Sequence, residues 1–137
     1  MLPFEFIVEG LPLSQQTRKR ERLQTWRQTV YNAARHYLPL NVQPLRCRLQ
    51  ITVVYYHSGI TIRMDNDNMV KPIQDALIGL VYVDDNQITD TRVRKTDLNG
   101  AFRVRGMSAV LAEGFCKGTE FLHIKIEEAP DHAEILQ

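Results

Sequence analysis

Five aspartates and a lysine crowd one short stretch of this chain. Between Arg63 and Ile88 it reads R-M-D-N-D-N-M-V-K-P-I-Q-D-A-L-I-G-L-V-Y-V-D-D-N-Q-I. Asp65, Asp67, Asp75, Asp84 and Asp85 lie here, five of the 16 acidic residues, with Lys71 among them. Crowded carboxylates repel one another at neutral pH, so such a sequence calls for a cation between them. A hard divalent metal takes oxygen ligands of this kind. Magnesium, with manganese as the alternative, could activate a water and stabilise the leaving oxygen in phosphodiester hydrolysis. Lys71 could neutralise charge at the scissile phosphate.

The spacing says which elements must position these groups. Asp65 and Asp67 are two apart and share one face of an extended chain. Asp67, Lys71 and Asp75 are four apart each time, so a helix beginning near Asp67 lines them along one side. Asp84 and Asp85 follow that helix through the short apolar run Val81–Val83, and a sheet could return one of them to the same spot. Two other metal motifs fit less well. An EF-hand loop counted from Asp65 puts Met69 at its fifth position and Ala76 at its twelfth, where ligands are needed. A haloacid-dehalogenase-type phosphatase wants a long apolar strand before its aspartate pair and a larger parallel sheet, but Arg63 precedes the pair here.

The remaining chain reads as a scaffold for this stretch. Phe4, Phe6 and Val8 alternate with Glu5, Ile7 and Glu9, a strand signal that Gly10 and Pro12 break. Ser14 or Thr17 is placed to cap a helix whose stripe is Leu23, Trp26, Val30, Ala33, Ala34 and Tyr37, ended by Pro39. Arg46–Tyr56 is the clearest strand, with Cys47, Leu49, Ile51, Val53 and Tyr55 on one face. His57-Ser58-Gly59 is a turn, and Ile60–Met64 runs extended into the acids. The next helix is expected from about Met69, because Pro72 is tolerated only near a helix start. Its stripe is Met69, Ile73, Ala76, Leu77 and Leu80. Thr89–Lys95 reads as a strand, Met107–Glu113 as a short helix and Glu120–Glu127 as a closing strand, with a frayed C-terminus. The expected fold is α+β: a small single mixed sheet with hairpin connections and helices packed on one face, forming one domain over residues 1–137.

Composition narrows the partner. At 44 % hydrophobic and 24 % charged residues the chain is globular rather than disordered. It has no apolar run near the roughly 20 residues of a membrane span. Glu5 and Glu9 interrupt the first apolar stretch, which argues against a signal peptide. Cys47 and Cys116 are too few and too far apart for a zinc site or a disulfide scaffold, so a reducing cytoplasm is the simplest setting. The net charge of +1 hides an asymmetry: residues 14–105 carry +7 and residues 106–137 carry −4. A basic segment of that kind suits a polyanion. Arg18, Lys19, Arg20 and Arg22 sit where they oppose the first helix's dipole. Contact with phosphates is one reading; a helix that starts later and leaves a basic loop is the other.

One family matches the organising stretch. Asp65-x-Asp67-Asn68-x-x-Lys71, then Asp75-Ala76-Leu77, Gly79 and Asp84-Asp85-x-Gln87-Ile88, resembles the RusA-type Holliday junction resolvases, continuously and in order. Gly10, Pro12 and the basic stretch after them resemble that family weakly. The resemblance implies a magnesium-dependent homodimeric endonuclease that cuts four-way DNA junctions. By position it makes Asp65, Asp67 and Asp85 the catalytic, metal-binding acids and Lys71 an essential lysine. Pro72, directly after the lysine, bears on where the helix starts, and residues 97–119 match nothing in the family that we can place. Rival functions are a catalytically idle branched-DNA-binding protein and a small metal-dependent phosphatase. Each residue also has a plainer role. Lys71 could simply pair with Asp67, Asp75 could be a helix-surface or hydrogen-bonding residue, and Asp84 could shape a turn for Asp85. Trp26 reads as core. Phe102, between Gly100 and the pair Arg103 and Arg105, reads as local packing, with probing of an opened junction as its functional alternative. His36, His57, His123 and His132 share no site-like spacing.

Overall fold

The computed structural model describes residues 1–58 and 64–134. Its strands are β1 (Phe4–Glu9), β2 (Leu49–His57), β3 (Ile88–Asp97) and β4 (Phe121–Glu128); its helices are α1 (Arg20–Tyr37), α2 (Asn66–Leu77) and α3 (Ala109–Cys116). Two short 3-10 turns cover Asp85–Gln87 and His132–Glu134. The sheet is mixed, in the order β1-β4-β2-β3. β4 runs antiparallel to both β1 and β2, whereas β2 and β3 are parallel.

The connections differ from the expected hairpins. β2 and β3 are joined by α2, and a chain that returns along its own direction needs such a crossover. β4 then inserts between β1 and β2 from the far end of the sequence. Among the described residues, no sequential pair of strands is therefore a hairpin.

The helices do not all share one face, as was expected. Phe6, Ile51, Val53 and Ile124 meet Trp26 and Val30 of α1 and Met69 and Ile73 of α2 on one side. Ile7, Val54, Tyr56 and Phe121 meet Leu111 of α3 on the other. The reason is visible in β2, where Val53-Val54-Tyr55-Tyr56 is apolar without alternation. A central strand of that composition needs cover on both faces.

Element ends follow local chemistry. α1 buries Leu23, Trp26, Val30 and Ala34, close to the expected stripe, and stops at Leu38 before Pro39. Neither Ser14 nor Thr17 caps it: Lys19 holds the N-cap position without a side-chain bond, and the Ser14 hydroxyl accepts from the Gln16 amide instead. α3 starts two residues later than expected because the Ser108 hydroxyl caps it, accepting from Leu111 N at 3.1 Å. Of the extended run expected over Ile60–Met64, all but Met64 lies outside the described residues. At the C-terminus, His132 meets Asp90 at 2.7 Å, and the last three residues, expected to fray, lie outside the described residues. No helix among the described residues is long and apolar enough to cross a membrane.

The largest departure is α2. It begins at Asn66, three residues before the expected start, and carries Pro72 inside. A proline has no N–H to give to the carbonyl four residues back, here that of Asn68. That carbonyl is not left bare. It accepts the backbone N–H of Gln15 at 2.9 Å. The proline thus frees an acceptor, and the acceptor tethers the segment leading into α1.

Candidate active site

The site is built from the start of α2, the turn ahead of β3, and the facing side of α1. Asp65 is the N-cap of α2 in extended conformation, yet its carboxylate makes no cap bond. Asp67 lies in the first turn. Both are exposed. Negative charge is favourable at a helix N-terminus, where unbonded amides carry partial positive charge. The backbone just before Asp65 is pinned from the sheet: Lys95 of β3 donates its ammonium to the Met64 carbonyl.

Lys71 joins two elements. Its ammonium lies 2.9 Å from Asp75 Oδ1, one turn on, and 2.7 Å from Asp85 Oδ2, at the start of the 3-10 turn. Arg27 of α1 reaches the other oxygen of Asp75 at 3.4 Å, and also the side-chain oxygen of Gln15 at 3.3 Å. Hydrogen bonds donated to Asp85 first, and then to Asp75, raise the Lys71 pKa above the ordinary lysine range. The same bond from Lys71, with help from Asp84, holds the Asp85 carboxyl below the usual carboxylate range. At neutral pH Lys71 is therefore a fixed cation and Asp85 a fixed anion.

The Asp84-Asp85 turn is held from behind. Asp84 accepts from the Asn86 amide at 3.2 Å, while the Gln87 side-chain oxygen accepts from Val83 N and Asp84 N, both at 2.9 Å. The Gln87 amide group donates to the carbonyls of Leu45 and Cys47, at 2.8 and 3.0 Å. These bonds explain why Arg46–Arg48 are not in β2: this stretch is the seat of the turn. Beneath lies Tyr82, fully buried, its hydroxyl donating to the Gln74 carbonyl at 2.5 Å. Burial, reinforced by the negative charges of Asp85 and Asp75, keeps this phenol protonated.

These positions bear on each candidate from the sequence. Lys71 does not pair with Asp67; it pairs with Asp75 and Asp85. Asp75 takes the hydrogen-bonding role considered for it, and Asp84 the turn-shaping role. Asp65, Asp67 and Asp85 lie around the ends of α2 and β3 without closing into a cluster. Among the described residues no three acidic, histidine or cysteine side chains form a group that could hold a metal ion. The donor set is nonetheless of the right kind for magnesium: carboxylate oxygens, two of them on exposed side chains at a helix N-terminus. Arg18, Lys19, Arg20 and Arg22 are exposed and meet no carboxylate among the described residues. Lys19 and Arg20 begin α1, so the cations do oppose its dipole. The Gln15–Asn68 bond moors their loop to the first turn of α2.

The family described as Endodeoxyribonuclease RusA matches residues 13–105, about two thirds of the chain. This chain belongs to the RusA endodeoxyribonuclease family. The match runs from the loop before α1 through β3, so it contains every charged group of the site just described. Membership makes the chain an endodeoxyribonuclease and implies branched DNA as its substrate. The RusA match ends at Arg105 and leaves β1, α3 and β4 outside it. A comparison with curated proteins found no match.

Two members of this RusA site escaped the reading of residue types. Lys95 looks like any exposed strand lysine until β3 is set beside the start of α2. Arg27 lies on the polar side of an amphipathic helix, and only packing brings it to Asp75. Gln87 carried a usable signal, because an aspartate followed three residues later by glutamine is the spacing of a capping box.

Proposed function

We propose that this chain is a metal-dependent, structure-specific endonuclease that resolves four-way DNA junctions by paired hydrolysis of phosphodiesters. Family membership supports the substrate class. The observation that carries the mechanism is Lys71, held at 2.9 and 2.7 Å by carboxylates from two different elements. A lysine so placed has a fixed position and a raised pKa, so it serves as a positive charge for a phosphate oxygen rather than as a proton carrier. Asp65, Asp67 and Asp85 would hold magnesium, or manganese in its place, and the bound ion would supply activation of water and neutralisation of the developing charge. Lys95 positions the peptide before Asp65, and Gln87 positions Asp85. The exposed cations Arg18, Lys19, Arg20 and Arg22 grip the phosphates of a duplex arm. We place this work in the cytoplasm, in keeping with two exposed free cysteines.

A junction has two-fold symmetry and is resolved by two cuts, while the chain offers one acidic site. We therefore infer a symmetric homodimer, the commonest closed assembly. The test is a synthetic four-way junction incubated with and without magnesium. The parent should cleave it only with metal. Asp65→Asn, Asp67→Asn and Asp85→Asn should each lose roughly 10² or more in rate, as expected for an electrostatic catalytic group. Junction affinity should hold or rise, because repulsion of DNA falls. Mixed dimers with one Asp67→Asn subunit should nick one strand and leave its partner. Full activity in Asp67→Asn would overturn the metal site, and paired cuts by mixed dimers would overturn the two-site scheme.

A further inference from the structure

The face of the sheet away from α1 and α2 carries its own polar hollow. β3 alternates there: Lys95 aligns with Tyr55 and points toward α2, whereas Arg94 and Thr96 align with Val54 and Tyr56 and point the other way. After β3 the chain turns sharply, with Gly100 N bonded to the Asp97 carbonyl at 3.0 Å and Asn99 N to the Asp97 carboxylate at 2.9 Å. It then passes back over Tyr56 as Phe102–Arg105. The result is a cleft of about 320 Å³ whose walls include Tyr56, Arg94, Thr96, Phe102, Arg103 and Arg105.

Two features of this cleft suit a ligand. The first is Phe102. Its ring is backed by Tyr56 at 6.1 Å and Phe115 at 5.9 Å, tilted by 36° and 35° to them, yet it remains 41 % exposed. The neighbouring rings are already satisfied, with Tyr56 stacked on Phe121 at 4.8 Å. Phe102 is thus an aromatic surface presented on a firm support. The second is charge. Arg94, Arg103 and Arg105 surround one hollow, and among the described residues none of them meets a carboxylate. Three like charges around a cleft attract an anion, and guanidinium groups suit phosphate oxygens in particular.

We propose that this cleft binds one unpaired nucleotide of the DNA, its base against Phe102 and its phosphates among Arg94, Arg103 and Arg105. The volume is at the small end of ligand sites, about that of one nucleotide. A duplex buries its base faces in its own stack, so only an unpaired base can offer one to Phe102. The choice of DNA over other aromatic anions rests on the endonuclease reading. The cleft and the acidic site lie on opposite faces of the edge strand β3, so a branch point could supply a splayed nucleotide to one and a scissile phosphate to the other.

The test is made without metal, so that cleavage plays no part. The probe is a short oligothymidylate carrying one central 2-aminopurine, whose fluorescence falls when it stacks on an aromatic ring. The parent should bind and quench it. Phe102→Ala should remove the quenching and weaken binding by roughly 5- to 150-fold, the usual range for one base–aromatic stack. Phe102→Tyr should restore both. Arg94→Gln with Arg103→Gln should weaken binding and flatten its salt dependence. Affinity for a fully paired duplex should not change in Phe102→Ala, which a general loss of folding could not reproduce. Unaltered quenching in Phe102→Ala, equal losses on duplex and single strand, or a parent that does not bind the oligonucleotide would each overturn the proposal. Quenching by a protein that fails to cut junctions would uphold the cleft and count against the nuclease reading alone.

Discussion

Replacing Lys71 by methionine keeps the aliphatic stem and removes only the charge. The side chains involved are partly exposed, 44 % for Lys71, 22 % for Asp75 and 29 % for Asp85, so solvent screens both pairs. Exposed ion pairs contribute about 0.2–1 kcal/mol each. Asp75 keeps Arg27 at 3.4 Å, so most of the loss falls on Asp85. Together these give about 0.5–1.5 kcal/mol, a fall in Tm of roughly 2–6 °C for a domain of this size. Cleavage should fall much further, by roughly 10² or more, if the lost charge has the proposed role of facing the phosphate during the reaction.

The pH dependence of that Tm difference tests its cause. Asp85 titrates below its unfolded value, so its contribution is complete above about pH 3.9 and is lost as pH falls through the folded pKa. Lys71 titrates above its unfolded value, so its contribution is complete below about pH 10.4 and is lost as pH rises through the folded pKa. The gap between parent and Lys71→Met should therefore be widest between about pH 5 and 9 and close at both ends. Melting curves by circular dichroism across that range, with junction cleavage at neutral pH, provide the check. A pH-independent gap would mean lost packing rather than lost charge. Cleavage within about threefold of the parent would refute the electrostatic role, since the role requires a far larger loss.

Two further outcomes follow from the same geometry. Alanine at Arg18, Lys19, Arg20 and Arg22 together should lower the salt slope of log K for duplex binding by about 0.9 for each phosphate no longer neutralised, and a slope equal to the parent's would make the cluster a solvated surface. Pro72→Ala restores an N–H that competes for the Asn68 carbonyl, so the Gln15 amide should exchange at least about tenfold faster and the protein should melt higher through better helix propensity; unchanged Gln15 protection would mean that the carbonyl serves both donors.

How far the sequence discloses the fold depends on which interaction sets each feature. Strand and helix positions follow local periodicity, and β1, α1 and β4 stand within a few residues of where their apolar residues place them. Strand order is a different matter. Nothing in Phe121–Glu128 says that it will lie between β1 and β2, because pairing partners are chosen by the whole sheet. The two-faced cover was legible in part: the unbroken run Val53–Tyr56 has no polar side to give to solvent. The hairpin expectation failed on α2, whose place between two strands of one sheet demands a parallel crossover once both strands join it.

The start of α2 shows how a local rule is overridden. Pro72 argues for a helix beginning late, and the rule's physical content is an unmet carbonyl at Asn68. That content survives in the structure, since Pro72 within α2 has no N–H to give this carbonyl. What the rule cannot see is a donor far upstream, the Gln15 amide at 2.9 Å. The same holds for Lys71. Its spacing from Asp67 and Asp75 allows either pair, and position on the helix alone cannot choose. Asp85 chooses, from an element that sequence spacing does not bring close. With its ammonium between Asp75 and Asp85, Lys71 leaves the carboxylates of Asp65 and Asp67 free of it, and those are two of the three oxygen donors proposed to hold the metal. A lysine committed to Asp67 would have neutralised one of them in advance. The pairing that the structure adopts is therefore the one that preserves acceptor charge at the N-terminus of α2, and residue types alone could not have distinguished it.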